Sequence, residues 1–260
     1  KLYRAVFDST NYNMYNHMQL NNCNIWVKNT KELKQKKLDF CFKKYGKGLI
    51  VLGDSHAMNL YNIISKSKKF NFVIGVSQGG CRPHNNHKNC HYNDFEKFLL
   101  KNISKIKKII YHQSGSYYIK SINGSVDSQA AFEGKFDSFH KNNILKTLSY
   151  LNSLAEKFSI NILWVGPFTE YRHDPLNVIG KEESFSINPT SIKLFNDLNK
   201  KLSTILSNER SIKYLPYSKI FYEPVKSYIS ECFVFLNIDH YSLCGEDIIA
   251  SKSKLNLIDY

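Results

Sequence analysis

From residue 48 onward the chain alternates short apolar runs with stretches whose apolar positions recur every three or four residues. The runs at 49–52, 70–76, 108–111, 160–165 and 212–215 have the length of strands, and the stretches between them have the period of helices. Helices are predicted over 55–65, 93–106, 136–157, from 188 or 190 to 206, and 245–255, with a last strand-like piece at 232–236. The inner faces are Leu60, Ile63 and Ile64 in the first, Phe95, Phe98, Leu99 and Ile103 in the second, and Leu145, Leu148, Leu151 and Leu154 in the third. Strand followed by helix, repeated, predicts an α/β fold in three layers: about five parallel strands with helices on both faces. Residues 1–45 break the rhythm. Rich in Asn, Tyr and Lys, they read as an N-terminal extension lying on a main domain of residues 46–260.

The first strand ends abruptly in Gly53-Asp54-Ser55, and helical periodicity starts at once. A serine there stands at the carboxyl edge of a parallel sheet, where open α/β folds bind ligands. Its N–H belongs to the unpaired first turn of the helix, ready to meet an anion. That suits a nucleophile, although Asp and Ser are also the ordinary caps of a helix N-terminus. In such a sheet the loops after successive strands converge along one edge. They carry Ser55, Gly79 with Gly80, Gln113 with Ser116, Glu170 with His173, and Asp239 with His240. A nucleophile, backbone donors and a base therefore meet by topology although they are far apart in sequence. Glu170, Tyr171 and His173 begin a long loop and are candidates to line an acceptor cleft; a solvated polar loop is the plain alternative. His112, at a strand end, reads as satisfying a hydrogen bond and not as a metal ligand.

Composition changes the picture in two places. The formal charge of +14 points to an anionic neighbour, such as a lipid surface or an acidic polysaccharide. The lysines are scattered and no nucleic-acid motif accompanies them, so nucleic acid is not expected. The six cysteines fall in local pairs, Cys23/Cys41, Cys81/Cys90 and Cys232/Cys244, as disulfides of an oxidising compartment would. Zinc is the rival around Cys81, His84, His87, Cys90 and His91, but no familiar ligand spacing is present and no metal is expected. No apolar run reaches the length of a membrane span. Export then depends on a removed leader or on a membrane domain upstream.

Gly53-Asp54-Ser55-His56-Ala57 near the start of the domain and His240-Tyr241-Ser242-Leu243-Cys244-Gly245 near its end resemble the first and last blocks of SGNH/GDSL hydrolases. More narrowly, they are similar to the SGNH domain fused to the membrane acyltransferase-3 domain of bacterial O-acyltransferases. The order and rough spacing agree over residues 48–250, including a cysteine-bearing loop after the second strand and Gly166-Pro167 after the fourth. The resemblance implies a flavodoxin-like SGNH fold, Ser55 as nucleophile and His240 as general base. It implies an oxyanion hole from the N–H groups of Ser55 and of Gly79 or Gly80. The Asn that supplies a further donor in the family is absent, leaving Gln113, Ser116 or nothing in its place. The family's triad acid lies three residues before the His, where this chain has Asn237. Asp239 is the candidate that replaces it, against a dyad with a backbone carbonyl or a slow, impaired domain.

Two readings follow. In one, the resemblance implies an extracytoplasmic enzyme that holds an acyl group, most simply acetyl, on Ser55 and passes it to a hydroxyl of a cell-envelope polysaccharide, or else hydrolyses it. This domain would need no cofactor of its own, the acyl donor being acetyl-CoA used by an associated inner-membrane acyltransferase-3 domain. In the other, an SGNH-like domain that has lost its chemistry binds glycan, with Asn237 and the missing donor as support.

Overall fold

The computed structural model describes residues 5, 6, 8, 13–18, 23–122, 136–173, 177 and 185–255. In chain order its main elements are β1 (Asn24–Val27), α1 (Gln35–Tyr45), β2 (Gly48–Gly53), α2 (Ser55–Lys66), β3 (Val73–Ser77), α3 (Tyr92–Asn102) and β4 (Ile106–His112). Then come β5 (Ile119–Ser121), β6 (Phe136–Phe139), α4 (Lys141–Phe158), β7 (Ile162–Val165), α5 (Pro189–Leu206), β8 (Ile212–Leu215), β9 (Tyr228–Ile229), β10 (Cys232–Phe233) and α6 (Leu243–Lys252). The central sheet has the order β1-β3-β2-β4-β7-β8, and every pair in it is parallel.

The period of two along the strands sorts their side chains into two cores. Ile50 and Leu52 of β2, Ile109 and Tyr111 of β4, and Ile162 and Trp164 of β7 pack on one face with α1, α3, α4 and α5. Leu49, Val51, Ile110, Leu163 and Val165 pack on the other with α2 and α6. Burial of strands on both faces is why the sequence shows them as continuous apolar runs. The three-layer α/β expectation holds.

The sheet has six strands where five were expected. The additional one, β1, comes from the segment read as an extension: Asn24–Val27 pairs with Val73–Val76, and Cys23 is bonded to Cys41 of α1. Four residues in an Asn-rich setting carry too little periodicity to announce a strand. The boundary drawn at residue 45 therefore cuts through one continuous sheet. Residues 136–157, expected to be one helix, split into β6 and α4 at His140, whose ring nitrogen accepts the Asn143 N–H. Leu145 of that stripe faces solvent.

Register decides where the site lies. Gly53 is level with Ser77 on one side and His112 on the other, and Tyr111 with Trp164 of β7. The strand ends of β2, β3, β4 and β7 thus open at one edge. The chain passes from β2 to β3 on one side and then crosses back to β4 on the other, so this is the topological switch point.

Candidate active site

Gly53 is glycine because β4 passes too close for anything else: a Cβ there would lie 1.8 Å from the His112 carbonyl oxygen. Asp54 follows as the cap of α2, its carboxylate accepting the His56 N–H at 3.0 Å. The same buried carboxylate accepts the Ser114 N–H at 3.2 Å and pairs with Arg82 Nε at 2.9 Å. Burial alone would raise the Asp54 pKa; Arg82 and His56 outweigh it and hold the group ionised. Since Asp54 caps the helix, Ser55 is spared that duty. It occupies the first helical position and is partly exposed, its N–H in the open turn.

The loop between β10 and α6 brings His240 to the same helix. Tyr241 exchanges two hydrogen bonds with the Asn59 side chain, its N–H donating at 3.2 Å and its carbonyl accepting at 3.1 Å, which clamps the loop on α2. Within the loop, Asn237 Oδ1 accepts the N–H groups of Asp239 at 3.0 Å and His240 at 2.9 Å. That turn holds the Asp239 carboxylate 2.8 Å from His240 Nδ1, with Asn237 Oδ1 at 3.1 Å as a second neighbour. His240 Nε2 is buried with no hydrogen-bond partner, and its ring centroid is 5.0 Å from that of His56, beside Ser55 in sequence. Ser55 and His240 make no hydrogen bond to each other in this conformation; such contacts commonly close only with substrate bound.

Asp239 is shared. Its second oxygen lies 3.5 Å from Nε2 of the fully buried His56, whose ring stacks on Phe168 at 4.6 Å. Burial would push the Asp239 carboxyl up, but His240 and His56 on its two sides hold it well below the usual carboxylate range. Burial opposes charge on His56, yet Asp239, with Asp54 and Glu170 behind it, lifts its pKa above the ordinary imidazole value. His56, Asp239 and His240 present three ligand-type atoms within 4.8 Å of one another. In this arrangement one nitrogen of each ring is directed at the common carboxylate, as in an acid–base relay.

The glycine turn meets Ser55 from the other side. The Cys81 N–H returns to the Gln78 carbonyl at 3.2 Å, and Gly80 takes the left-handed conformation (φ +80°) that the third position of this turn demands. The Gln78 N–H reaches the Gly53 carbonyl, tying the turn to β2. A Cβ on Gly79 would come 3.9 Å from Ser55 Cβ and 3.3 Å from Tyr15 Oη, so Gly79 borders Ser55 directly. Cys81 is bonded to Cys90, which takes both sulfurs out of any zinc site. Arg82 Nη1 donates back to the Gly80 carbonyl at 3.3 Å, and its guanidinium lies 3.2 Å over the Tyr117 ring.

Four expected site residues are corrected. Gln113 is buried, its amide oxygen accepting the Tyr111 hydroxyl and its NH2 donating to the Ser114 carbonyl. Ser116 Oγ pairs with Ser114 Oγ at 2.7 Å. Neither side chain offers an oxyanion donor. Glu170 is fully buried, accepting Ser114 Oγ at 2.8 Å and pairing with Arg172 at 3.1 Å; burial and the nearby Asp239 push its carboxyl up. Tyr171 is buried too, stacked on Phe235 at 5.0 Å. These two brace the base loop from beneath, where Arg172 N–H donates to the Ile238 carbonyl at 2.7 Å. Of the expected cleft only His173 is half exposed, and Asp174 beyond it lies outside the described residues. His112 Nδ1 donates to the Val165 carbonyl, 3.1 Å away, the strand-end bond expected of it; burial, aided by His56, brings its pKa down to about 4. Sequence reasoning missed Arg82, His56 and Tyr15. For the first two the adjacent motif residues were the available signal; for Tyr15 there was none.

The family model described as the SGNH domain fused to AT3 domains matches residues 23–252. Among solved structures the chain is similar to a candidate acylhydrolase of Bacteroides fragilis at 15% identity and TM-score 0.45, over 80% of this chain and 85% of that one. It is similar to a GDSL-like lipase of Bacteroides thetaiotaomicron at 12% identity and TM-score 0.45, over 79% and 84%. An acetyl xylan esterase shares 12% identity at TM-score 0.40, over 79% and 96%. No curated protein matches the chain.

Proposed function

Because the chain belongs to the family of SGNH domains fused to AT3 domains, we propose that it is an extracytoplasmic O-acyltransferase module acting through Ser55. Ser55 Oγ attacks the acyl carbonyl while His240 Nε2 takes its proton, and the N–H groups of Ser55 and Gly79 receive the oxyanion. The leaving group departs with that proton. A hydroxyl of a cell-envelope polysaccharide then attacks acyl-Ser55, giving its proton to His240, and Ser55 is regenerated. Acetyl is the simplest acyl group for so tight a turn, delivered from acetyl-CoA by an associated membrane domain. No described helix is long and apolar enough to cross a membrane, and the three disulfides suit an oxidising compartment.

One observation carries the reading. An ionised Asp239 holds His240 Nδ1, leaving Nε2 buried and unpartnered, and the loop that carries it is clamped on the helix opened by Ser55, which Asp54 relieves of capping. That is the division of labour in a serine triad, recognised by geometry and not by spacing. The test is turnover of a chromogenic acetyl ester by wild type, Ser55→Ala and His240→Ala, with intact-mass analysis of the wild type. The expectation is an acetyl adduct on Ser55 and loss of turnover in both variants. Equal behaviour of all three proteins would sink the reading and leave glycan binding without chemistry. Release of the adduct to an oligosaccharide faster than to water separates transfer from hydrolysis.

A further inference from the structure

We propose that the Tyr15 hydroxyl is the further hydrogen-bond donor of the oxyanion hole, a catalytic residue supplied by the segment that precedes the sheet. The proposal rests on Ser55 being the nucleophile. With the Gln113 and Ser116 side chains turned inward, the strand-end loop after β4 leaves the hole with backbone donors alone. Tyr15 offers a side-chain donor from the other side of β2, next to Trp26 of β1 and the glycine turn after β3. Its hydroxyl is 3.3 Å from the Cβ position of Gly79, which is itself 3.9 Å from Ser55 Cβ, so hydroxyl, glycine and nucleophile border one small space.

The ring is held and not merely nearby. It belongs to the 3₁₀ turn Met14–His17, opened by Asn13, whose side chain accepts the Tyr15 N–H at 3.0 Å. Met14 and Met18 on either side are buried in the core shared with α2 and α6. Trp26 lies 5.8 Å from the ring and donates from Nε1 to Ser77 Oγ at 2.9 Å, which fixes it to the end of β3, one residue before the glycine turn. Lys28 Nζ sits 4.2 Å from the centroid of the Tyr15 ring, a cation held against its face. Two methionine anchors, an indole and an ammonium thus position a phenol that is 41% exposed and makes no side-chain hydrogen bond to any described residue. In acylation its O–H donates to the acyl oxygen as negative charge develops there; the proton stays on the phenol.

The experiment compares Tyr15→Phe, Tyr15→Ala, Ser55→Ala and wild type on a chromogenic acetyl ester, measuring kcat and KM separately. Phe keeps the ring, so folding is preserved and a matching melting temperature verifies it. Removal of one oxyanion donor costs about 10²- to 10³-fold in kcat with little change in KM. Tyr15→Phe is expected to lose at least about 10²-fold in kcat and to acquire the Ser55 adduct correspondingly slowly. If Tyr15→Phe keeps kcat within about threefold while Ser55→Ala is inactive, the hydroxyl is no donor and the proposal falls alone. A raised KM at constant kcat, in Phe and Ala alike, also overturns it and makes Tyr15 a wall for substrate. If Ser55→Ala is itself fully active, the nucleophile reading fails and takes this one with it.

Discussion

Replacing Asp239 with Asn tests the support behind the serine at a single atom pair. The native carboxylate sits 2.8 Å from His240 Nδ1 and so requires a proton on that nitrogen, leaving Nε2 free to accept one from Ser55. An amide can present NH2 instead, which favours the opposite tautomer; in a serine triad that change costs about 10⁴-fold, or about 5.4 kcal/mol. Here the loss is smaller, because Asn237 Oδ1 at 3.1 Å still accepts from Nδ1. One retained neutral hydrogen bond is worth about 1 kcal/mol, so the expected loss in kcat is about 10³-fold. Removing that fallback in Asp239→Asn/Asn237→Ala costs roughly a further tenfold. The assay is kcat/KM on a chromogenic acetyl ester across pH 5–9, with a melting curve to show the loop is intact. Activity of Asp239→Asn within about tenfold of wild type, with Ser55→Ala inactive, refutes Asp239 as the acid and returns the base to a dyad.

Two further changes probe the surrounding charges. His56→Gln removes a group that helps to keep Asp239 ionised. Its loss raises the Asp239 pKa and so moves the acid limb of the kcat/KM profile to higher pH; an unmoved limb means that His56 acts by packing on Phe168 alone. Glu246, fully buried against Asn59, Asn62 and Lys66, has its carboxyl raised to about 7, chiefly by burial. Between the ordinary carboxylate range and pH 7 the folded state binds the extra proton, so the contribution of Glu246 to stability is full at low pH and is lost as pH rises through about 7. The loss amounts to roughly 3 kcal/mol at about 1.4 kcal/mol per pH unit. Glu246→Gln is expected to flatten that decline in thermal melts between pH 5 and 8; an unchanged slope assigns it elsewhere.

What the sequence disclosed follows from range of interaction. Strands buried on both faces and helices with one apolar face announce themselves locally, which is why Ile50 to Leu52 and the Leu148, Leu151, Leu154 stripe were legible. Close cysteine pairs were legible for the same reason, and all three bonds form as read. Asp239 was legible as a partner of His240 because the two are adjacent, and the structure places them 2.8 Å apart. The misreadings concern polar residues whose partners are remote. Glu170 and Gln113 look like binding groups in a loop; their engagement with Ser114 and Tyr111 makes them supports, and nothing in the local pattern distinguishes the two. Arg82 was overlooked because its partner Asp54 lies 28 positions away in sequence. Tyr15 was overlooked because a segment without periodicity gives no hint of the edge it lies along.

Arg82 also has a meaning for anyone who would redesign such a module. One guanidinium grips the Asp54 carboxylate before Ser55, the carbonyl of the glycine turn and the face of Tyr117. These parts cannot be retuned one at a time, since moving any of them drags the other two. The Met14–His17 strap is different: it meets the glycine turn through Tyr15 and shares none of those bonds. Exchanging that strap with the tyrosine kept therefore leaves the three contacts of Arg82 undisturbed.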